Sequence, residues 1–218
     1  MNASMPNQAG VYAGGFSDAA RQSQAVFRCL LDAMAHPGTL HAIDAAVFAP
    51  APVSAASAAV LLTLADADVT VWLGDDLRGN DALKAWIAFH CGSRAVSGER
   101  EADFVLCCDP LALPEIRRFR AGTQDYPDRS ATIVLDAGVL SATARDGLAG
   151  LRLEGPGIAA TAELHARTLP KGFLGQWQAN GALFPRGIDM ILTGIDAASG
   201  KPAVACLPRT VRISGAGG

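Results

Sequence analysis

The sequence predicts an α/β protein with a largely covered, mixed β-sheet. Short apolar segments rich in β-branched residues alternate with longer segments of helical periodicity, which is the pattern of strands interleaved with helices. The strand candidate at 103–108 is apolar enough to be buried on both faces. The last strand candidates are separated by little helix, and this spacing favours some antiparallel pairing.

The first predicted helix spans residues 18–35, and Ser17 can cap its start. Four apolar residues at helical spacing form the stripe that we expect to be buried: Phe27, Leu30, Leu31 and Met34. The sequence His36-Pro37-Gly38 ends this helix, because proline disfavours helical backbone in the residue before it and glycine permits the turn.

Four further helices are predicted along the chain. The segment 53–65 is apolar nearly all round, which implies burial on most sides. Asn80 or Asp81 can cap a helix that continues to about His90. Residues 114–120 are expected to form a short basic helix, and residues 170–180 are a further helix candidate.

Strands are predicted where β-branched and apolar residues cluster between turn residues. The segment Ala-Thr-Ile-Val-Leu-Asp at 131–136 has the composition of a strand. The other strand candidates are 69–73, 103–108, 151–154, 188–193 and 210–213. At 218 residues the chain fits one sizeable core. We expect a mobile N-terminal arm at 1–15, a single α/β domain at 16–213 and a frayed tail at 214–218.

Charge and hydropathy limit the classes of partner. Only 18% of the residues are charged and 50% are apolar, against a usual charged share of about 25%. Either another chain covers some apolar surface, or the alanine-rich composition accounts for the apolar count. The net charge of −3 argues against nucleic acid as a partner, since phosphate backbones require clustered Lys and Arg.

Cysteine usage and the N-terminus bear on the compartment. The five cysteines have no disulfide-framework spacing, so reduced thiols are expected. The first fifteen residues lack a basic start followed by an apolar run, and no apolar stretch reaches the roughly 18 residues of a membrane span. These features predict a soluble, cytoplasmic protein without a membrane partner.

Several common active-site motifs are missing from the sequence. It contains no Gly-x-x-x-x-Gly-Lys-Ser/Thr loop for phosphates and no Gly-x-Ser-x-Gly turn of a hydrolase. Its four histidines and five cysteines show no metal-ligand spacing, so no metal is expected. None of the three lysines, Lys84, Lys171 and Lys201, stands where a pyridoxal-phosphate Schiff base would be expected, so no cofactor is expected.

Turns with unusual residues supply the remaining candidate site positions. Arg28 and His36, near the end of the first helix, could face an anionic ligand together with Pro37. Alternatively, Arg28 is a surface partner for a carboxylate and the helix dipole favours His36 at the C-terminal end. Gly155 and Gly157 surround a proline after a strand, which could cradle an anion with backbone N–H groups or simply form a tight turn.

The last candidates lie between the late helix and the late strands. Asn180 precedes the turn Phe-Pro-Arg-Gly, and Asp189 falls in an apolar segment where a carboxylate needs a partner. Arg209, just before the last strand candidate, could be that partner in or near a cleft. A structural ion pair is at least as well supported by this pattern as a catalytic one.

In order, these motifs resemble the PhnH family, one of the subunit families of the bacterial carbon–phosphorus lyase system, from about Phe16 to Ile213. The resemblance is carried by the series Phe27-Arg28…Ala33-Met34-Ala35-x-Pro37-Gly38, Leu62-Thr63-Leu64-x-Asp66-Ala67-Asp68, Ala102-Asp103-Phe104, Gly155-Pro156-Gly157-Ile158, Asn180…Phe184-Pro185-x-Gly187-Ile188-Asp189 and Leu207-Pro208-Arg209-Thr210.

The resemblance implies a three-layer α/β/α sandwich similar to the pyridoxal-phosphate-dependent transferases, but without that cofactor. It also implies a homodimer that joins G-, I- and J-type subunits. With accessory subunits, that system attaches an alkylphosphonate to the ribose of ATP and releases adenine. No catalytic residue is carried over. The positions expected at a cleft or interface, where a phosphonate or ATP-derived ligand could bind, are Arg28, His36, Pro37, Gly155, Gly157, Asn180, Asp189 and Arg209.

Two functional hypotheses follow from the sequence. The chain is either a scaffold or co-catalytic subunit of a phosphonate-processing transferase, or a stand-alone transferase-like enzyme with a site around Arg28, His36 and Asp189. Because fold similarity alone does not transfer function, the two are separated by whether the chain acts without partners.

Overall fold

The computed structural model of the protein describes residues 12–216. Within them the chain forms four α-helices and ten β-strands, arranged as an α/β fold around one mixed sheet. The helices are α1 (Ala19–Ala35), α2 (Ala55–Leu64), α3 (Asp81–Cys91) and α4 (Phe173–Gly181). The strands are β1 (His41–Ala42), β2 (Thr70–Leu73), β3 (Arg94–Val96), β4 (Phe104–Cys107), β5 (Thr132–Ser141), β6 (Ala149–Glu154), β7 (Ala162–Ala166), β8 (Asp189–Asp196), β9 (Pro202–Leu207) and β10 (Arg212–Gly215).

The central sheet has the order β3-β2-β4-β5-β8-β9-β1. The five strands from β3 to β8 are parallel, whereas β9 runs antiparallel to both β8 and β1. The register of β5 against β8 shifts between Asp136 and Val139. Past this shift β5 also pairs with β7, and β7, β6 and β10 continue as an antiparallel branch. The mixed sheet and the late antiparallel pairing are thus confirmed.

Side chains of the parallel strands alternate between two apolar cores, one on each face of the sheet. Val71, Leu106 and Val134 point into the core that α1, α2 and α3 cover. Val105 and Ile133 point into the opposite core. That second core is closed by α4, by the connection between β4 and β5 and by the β6–β7 hairpin. Burial on both faces explains why these strands are nearly continuous apolar runs.

Helix α1 lies close to its predicted bounds but buries only part of the predicted stripe, since Leu30 is buried and Met34 packs against the core. Asp18 caps it, since its Oδ1 accepts the Arg21 N–H at 3.2 Å, so the prediction of Ser17 as the cap is wrong. The buried residues are Val26, Leu30 and Ala33, whereas Phe27 and Leu31 are 45% and 53% exposed. The predicted and the observed apolar residues both have helical spacing. The packing of α1 against α2 and β9 determines which of them are buried.

The remaining helices follow the sequence more closely. Helix α2 is buried along most of its length, as its apolar surface predicts, and Asn80 caps α3. The late helix candidate is confirmed as α4. The predicted basic helix at 114–120 shrinks to one 3₁₀ turn, Ile116–Arg118. No helix in residues 12–216 is both long and apolar enough to cross a membrane.

Four strands, β1, β3, β7 and β9, are additions to the predicted set. The last strand begins at Arg212 and includes Ser214 and Gly215, two residues of the predicted tail. At the other end, Tyr12 packs edge-on against Phe89, with 4.8 Å between ring centroids. Residues 1–11 of the predicted arm and 217–218 of the predicted tail lie outside the described residues, so the expected domain boundaries stay predictions.

Candidate functional site

The end of α1 holds three of the candidate positions, and His36 is engaged there with Asp32. The His36 Nδ1 lies 2.9 Å from Asp32 Oδ1, and the His41 Nε2 lies 3.4 Å from Oδ2 of the same carboxylate. Pro37 is buried behind them, whereas Arg28 is exposed about two turns, roughly 12 Å, back along the helix. His36 therefore completes a surface cluster with Asp32 and His41, a cluster that the sequence did not indicate.

The Gly155–Gly157 turn packs closely against two other segments. Both glycines have positive φ, 144° at Gly155 and 81° at Gly157. A Cβ on Gly157 would lie 2.0 Å from the carbonyl oxygen of Ala35, and one on Gly155 would lie 3.1 Å from that of Thr210. Backbone conformation and close approach account for both glycines. The turn thereby connects the end of α1 to the segment that leads into β10.

Asn180 connects α4 to the start of β8. Its side chain is buried, accepts the Ile188 N–H at 2.8 Å and donates to the Ile188 carbonyl at 2.9 Å. Gly187, at φ 132°, lies against Asn180 and Arg209, where a Cβ would have 3.2–3.3 Å contacts. Because both polar ends of the amide bond to one backbone residue, Asn180 holds the turn between α4 and β8 in place.

The predicted pair of Asp189 and Arg209 is confirmed. The Asp189 Oδ1 accepts from the Arg209 backbone N–H at 2.7 Å and from its Nε at 3.1 Å, and Nη2 donates to Oδ2. The guanidinium also donates to the Pro127 carbonyl at 2.8 Å and to Ser130 Oγ at 2.6 Å. Arginine has five N–H donors, so this side chain is almost fully engaged inside the protein. Its geometry supports the structural role that the sequence left open.

A second aspartate–arginine pair lies nearby, between Asp103 and Arg120. Asp103 also accepts from the backbone N–H and the hydroxyl of Thr70, at 2.9 and 2.8 Å. Partial burial opposes ionisation, but hydrogen bonds from Thr70 and then Arg120 hold the pKa of Asp103 below its ordinary value. Phe104 and Asp189 both pair with Thr132, so the two ion pairs occupy one edge of the sheet. In the sequence, an aspartate at the start of a buried strand indicates each of these two ion pairs.

Beside these pairs, a groove of about 940 Å³ runs along α4. Its walls are α4, the tip of the glycine turn at Pro156, and the segment from Arg209 to Gly215. Trp177 contributes to the floor of the groove, and its Nε1–H donates to the Val211 carbonyl at 2.8 Å. A smaller hollow of about 430 Å³ lies on the other flank of α4, against Ile116. The motif residues around Asn180, Gly155 and Arg209 therefore shape the walls of an open groove.

Open α/β sheets commonly bind ligands at the carboxyl ends of two adjacent strands whose connections cross to opposite faces of the sheet. In this chain, that position lies at the edge of the sheet opposite to the two ion pairs. Here the crevice lies between β2 and β4, and the exposed residue Asp76 directs its carboxylate to the backbone there. Its Oδ2 accepts the backbone N–H groups of Cys108 and Asp109 at 3.0 and 3.1 Å. A Cβ on Gly74 would lie 2.3 Å from Asp76 Oδ1. The side chain of Asp76 thus takes the backbone donors that a bound anion would use.

The two thiols in that crevice are poor nucleophiles. Burial, then the charges of Asp76 and Asp136, raise the pKa of Cys108 to about 12. Burial, then the charge of Asp76, also raises the pKa of Cys107. Since the thiolate is the reactive form, neither cysteine is set up for covalent chemistry at neutral pH. Among residues 12–216, no three His, Cys, Asp or Glu side chains are grouped to hold a metal ion.

Comparison with known proteins gives a consistent result over nearly the whole chain. The family model for "Bacterial phosphonate metabolism protein (PhnH)" matches residues 14–214. The alpha-D-ribose 1-methylphosphonate 5-triphosphate synthase subunit PhnH of Rhizobium meliloti is 41% identical over 209 residues, which cover 96% of this chain and 98% of that protein. The putative C-P lyase subunit protein HtxG of Stutzerimonas stutzeri is 31% identical over 195 residues, or 89% and 87% of the two chains. The chain belongs to the PhnH family of bacterial phosphonate metabolism proteins.

Proposed function

We propose that the chain is a non-autonomous subunit of a carbon–phosphorus lyase core complex. In this role it supports the transfer of an alkylphosphonate to the ribose of ATP with release of adenine, as a scaffold or co-catalytic subunit. The observation that carries the proposal is the 41% identity, over 96% of this chain, to a protein named as a subunit of such a synthase.

The geometry of the motif residues supports a scaffold role. Asn180 and Arg209 direct their polar atoms to backbone and side-chain partners within the chain. Asp189 is paired with Arg209, and His36 is paired with Asp32. Two of the three residues of the suggested stand-alone site, Arg28, His36 and Asp189, are therefore already bonded to other side chains of the protein. Residues engaged in this way position segments of the protein, whereas a catalytic base needs a free approach to substrate.

The proposal includes several finer features taken from the family resemblance. We propose a cytoplasmic protein whose residues 16–213 form one domain, with the three-layer arrangement of the pyridoxal-phosphate-dependent transferases. The chain forms a homodimer and joins G-, I- and J-type subunits. A phosphonate or ATP-derived ligand binds this chain at a boundary with another subunit.

The test is reconstitution from separate subunits. This chain is expressed with and without the G-, I- and J-type subunits, with the affinity tag on a partner, and particle mass is measured by light scattering after size-exclusion chromatography. We expect co-elution in equal stoichiometry with the other subunits. Adenine release from ATP and methylphosphonate, followed by liquid chromatography, should require this chain together with its partners and the accessory subunits.

Two outcomes would contradict the proposal. The first is a chain that remains separate from the partners in every mixture. The second is adenine release by the isolated chain, which would favour the stand-alone enzyme instead. A homodimer predicts a mass for the isolated chain near twice its 22.5 kDa.

A further inference from the structure

The connection between β4 and β5 contains a closed loop at residues 121–130. Ala121 and Ser130 form an isolated antiparallel bridge, which brings the two ends of the loop together. Inside the loop, the Tyr126 backbone N–H donates to Thr123 Oγ1 at 3.0 Å, and the Thr123 N–H donates to the Tyr126 carbonyl at 3.1 Å. These bonds hold the backbone of a loop whose residues are mostly exposed.

The Asp189–Arg209 pair braces the same loop from the sheet. The Arg209 guanidinium donates to the Pro127 carbonyl at 2.8 Å and to Ser130 Oγ at 2.6 Å, while Asp189 holds it in place. Gly122, at φ 75°, packs so closely under the loop that an added Cβ would lie 2.8 Å from the Pro127 carbonyl oxygen. Exposed loops are usually more mobile than the elements they connect. This loop is instead restrained by a largely buried ion pair.

The tip of the loop presents a tyrosine stacked with an arginine. Tyr126 is 50% exposed, and the Arg129 guanidinium lies 4.1 Å from its ring centroid. Tyrosine and arginine are enriched among the residues that dominate binding energy in protein interfaces. A side chain that is already held in a restrained loop also loses less conformational entropy on binding. The tip therefore has the composition and the rigidity of an anchor for another protein.

The charges within the loop indicate which protein it fits. Asp125, Asp128 and Arg129 are exposed, so the tip carries two carboxylates and one guanidinium, and that guanidinium is stacked on Tyr126. A two-fold pairing of the tip with its own copy would bring twice as many carboxylates as guanidinium groups together. A partner with Lys or Arg beside its pocket would neutralise the excess carboxylate.

We propose that the loop 121–130 is a preorganised docking element for another subunit, with Tyr126 as its anchor and Arg209 as its positioning residue. The partner offers a pocket for the Tyr126 ring, and Lys or Arg at the rim of that pocket faces Asp125 and Asp128. This inference rests on the proposed function, since it assumes that the chain assembles with other subunits.

The anchor is tested in the co-expressed complex, purified through a tag on a partner subunit. Tyr126→Ala should reduce the co-purified chain to below about a tenth of the wild-type amount. Asp125→Asn combined with Asp128→Asn should weaken binding roughly threefold and make it less sensitive to salt. The matched control is Tyr12→Ala, because Tyr12 is 59% exposed and packs on Phe89 of α3. It should co-purify like the wild type, and thermal unfolding checks the fold of each variant.

The positioning role of Arg209 is tested by amide hydrogen exchange of the isolated chain. The ammonium of Arg209→Lys lacks the planar fork that reaches Pro127 and Ser130 together, so the loop should open more often. We expect exchange of the Thr123 amide to become at least about tenfold faster, while the amides of β5 remain slow. Tyr126→Ala should leave the Thr123 amide at the wild-type rate, because it keeps the backbone bonds of the loop. Unchanged exchange in Arg209→Lys would overturn the positioning role.

The outcomes separate the docking proposal from the subunit function. If the wild-type chain and Tyr126→Ala co-purify equally, the docking loop is wrong and the subunit function stands. If the wild-type chain itself fails to co-purify, both proposals are wrong. If Tyr126→Ala halves the mass of the isolated chain and leaves co-purification intact, the loop joins two copies of this chain, which also overturns the docking proposal.

Discussion

The two edges of the parallel sheet differ in how their polar groups are used. At the carboxyl edge, the Asp76 carboxylate accepts two backbone N–H groups at the crevice between β2 and β4. At the amino edge, Asp103 and Asp189 bind arginines that hold neighbouring segments in place, and an open groove remains beside them. The fold class alone would direct a search for ligands to the carboxyl edge. In this chain, the recognisable motifs build the amino edge instead.

The largest expected effect comes from breaking the amino-edge pair. Asp189→Ala leaves the Arg209 guanidinium, whose side chain is 14% exposed, without its carboxylate. Removing one partner of a largely buried ion pair costs about 3 kcal/mol of unfolding free energy. Urea denaturation followed by circular dichroism measures the change.

Asp128→Ala is the control for this prediction, since Asp128 is exposed and should change stability by less than about 0.5 kcal/mol. A double-mutant cycle with Arg209→Ala should give a coupling of about 1–3 kcal/mol. A loss below about 1 kcal/mol for Asp189→Ala would contradict the view that this pair holds the amino edge together.

The pair also illustrates what could be predicted from sequence. An aspartate in the apolar run around Ile188 needs a partner, and Arg209 precedes the next strand, so local chemistry was sufficient. The additional bonds of Arg209 to Pro127 and Ser130 span long stretches of chain, with separations of 82 and 79 residues. No local pattern indicates contacts of that range, and they depend on how the sheet is assembled.

The same limit applies to the strands. Continuous apolar runs predicted β4 and β5, because burial on both faces leaves a strong sequence signal. In contrast, β7 has the sequence Ala-Glu-Leu-His-Ala, which has little β propensity, and its pairing with β6 and β5 makes it a strand. The buried stripe of α1 was predicted only in part for a similar reason, since the neighbouring elements determine which of its apolar residues are buried.

A smaller effect is expected at the carboxyl edge. Asp76→Ala removes the acceptor of two backbone N–H groups at an exposed site, where water can replace it, so the expected cost is about 1.5 kcal/mol. Asp76→Asn keeps an acceptor oxygen but removes the charge, so it should cost less than half as much. The charge is one cause of the raised pKa of Cys108, and either substitution should lower that pKa.

Thiol labelling with Ellman's reagent at pH 8 tests the charge effect, because a lower pKa increases the thiolate fraction. Both Asp76 variants should label faster than the wild type, and Cys108→Ser should abolish the added rate. In the wild type, a Cys108 pKa raised from 9.0 to about 12 stabilises the fold below pH 9, and this contribution is lost as pH rises towards 12. Equal labelling of Asp76→Asn and wild type would show that Asp76 does not control this crevice.

The smallest expected effect is at α4 beside the amino edge, where glycine occupies an exposed helical position. Gly175→Ala should raise the unfolding free energy by up to about 1 kcal/mol, since alanine favours helix and an added Cβ meets open space. The same substitution at Gly92, which ends α3 at φ 71°, should instead destabilise by about 1 kcal/mol. Urea denaturation of both variants measures this difference in sign. A destabilised Gly175→Ala would contradict the open space that surrounds this helical position.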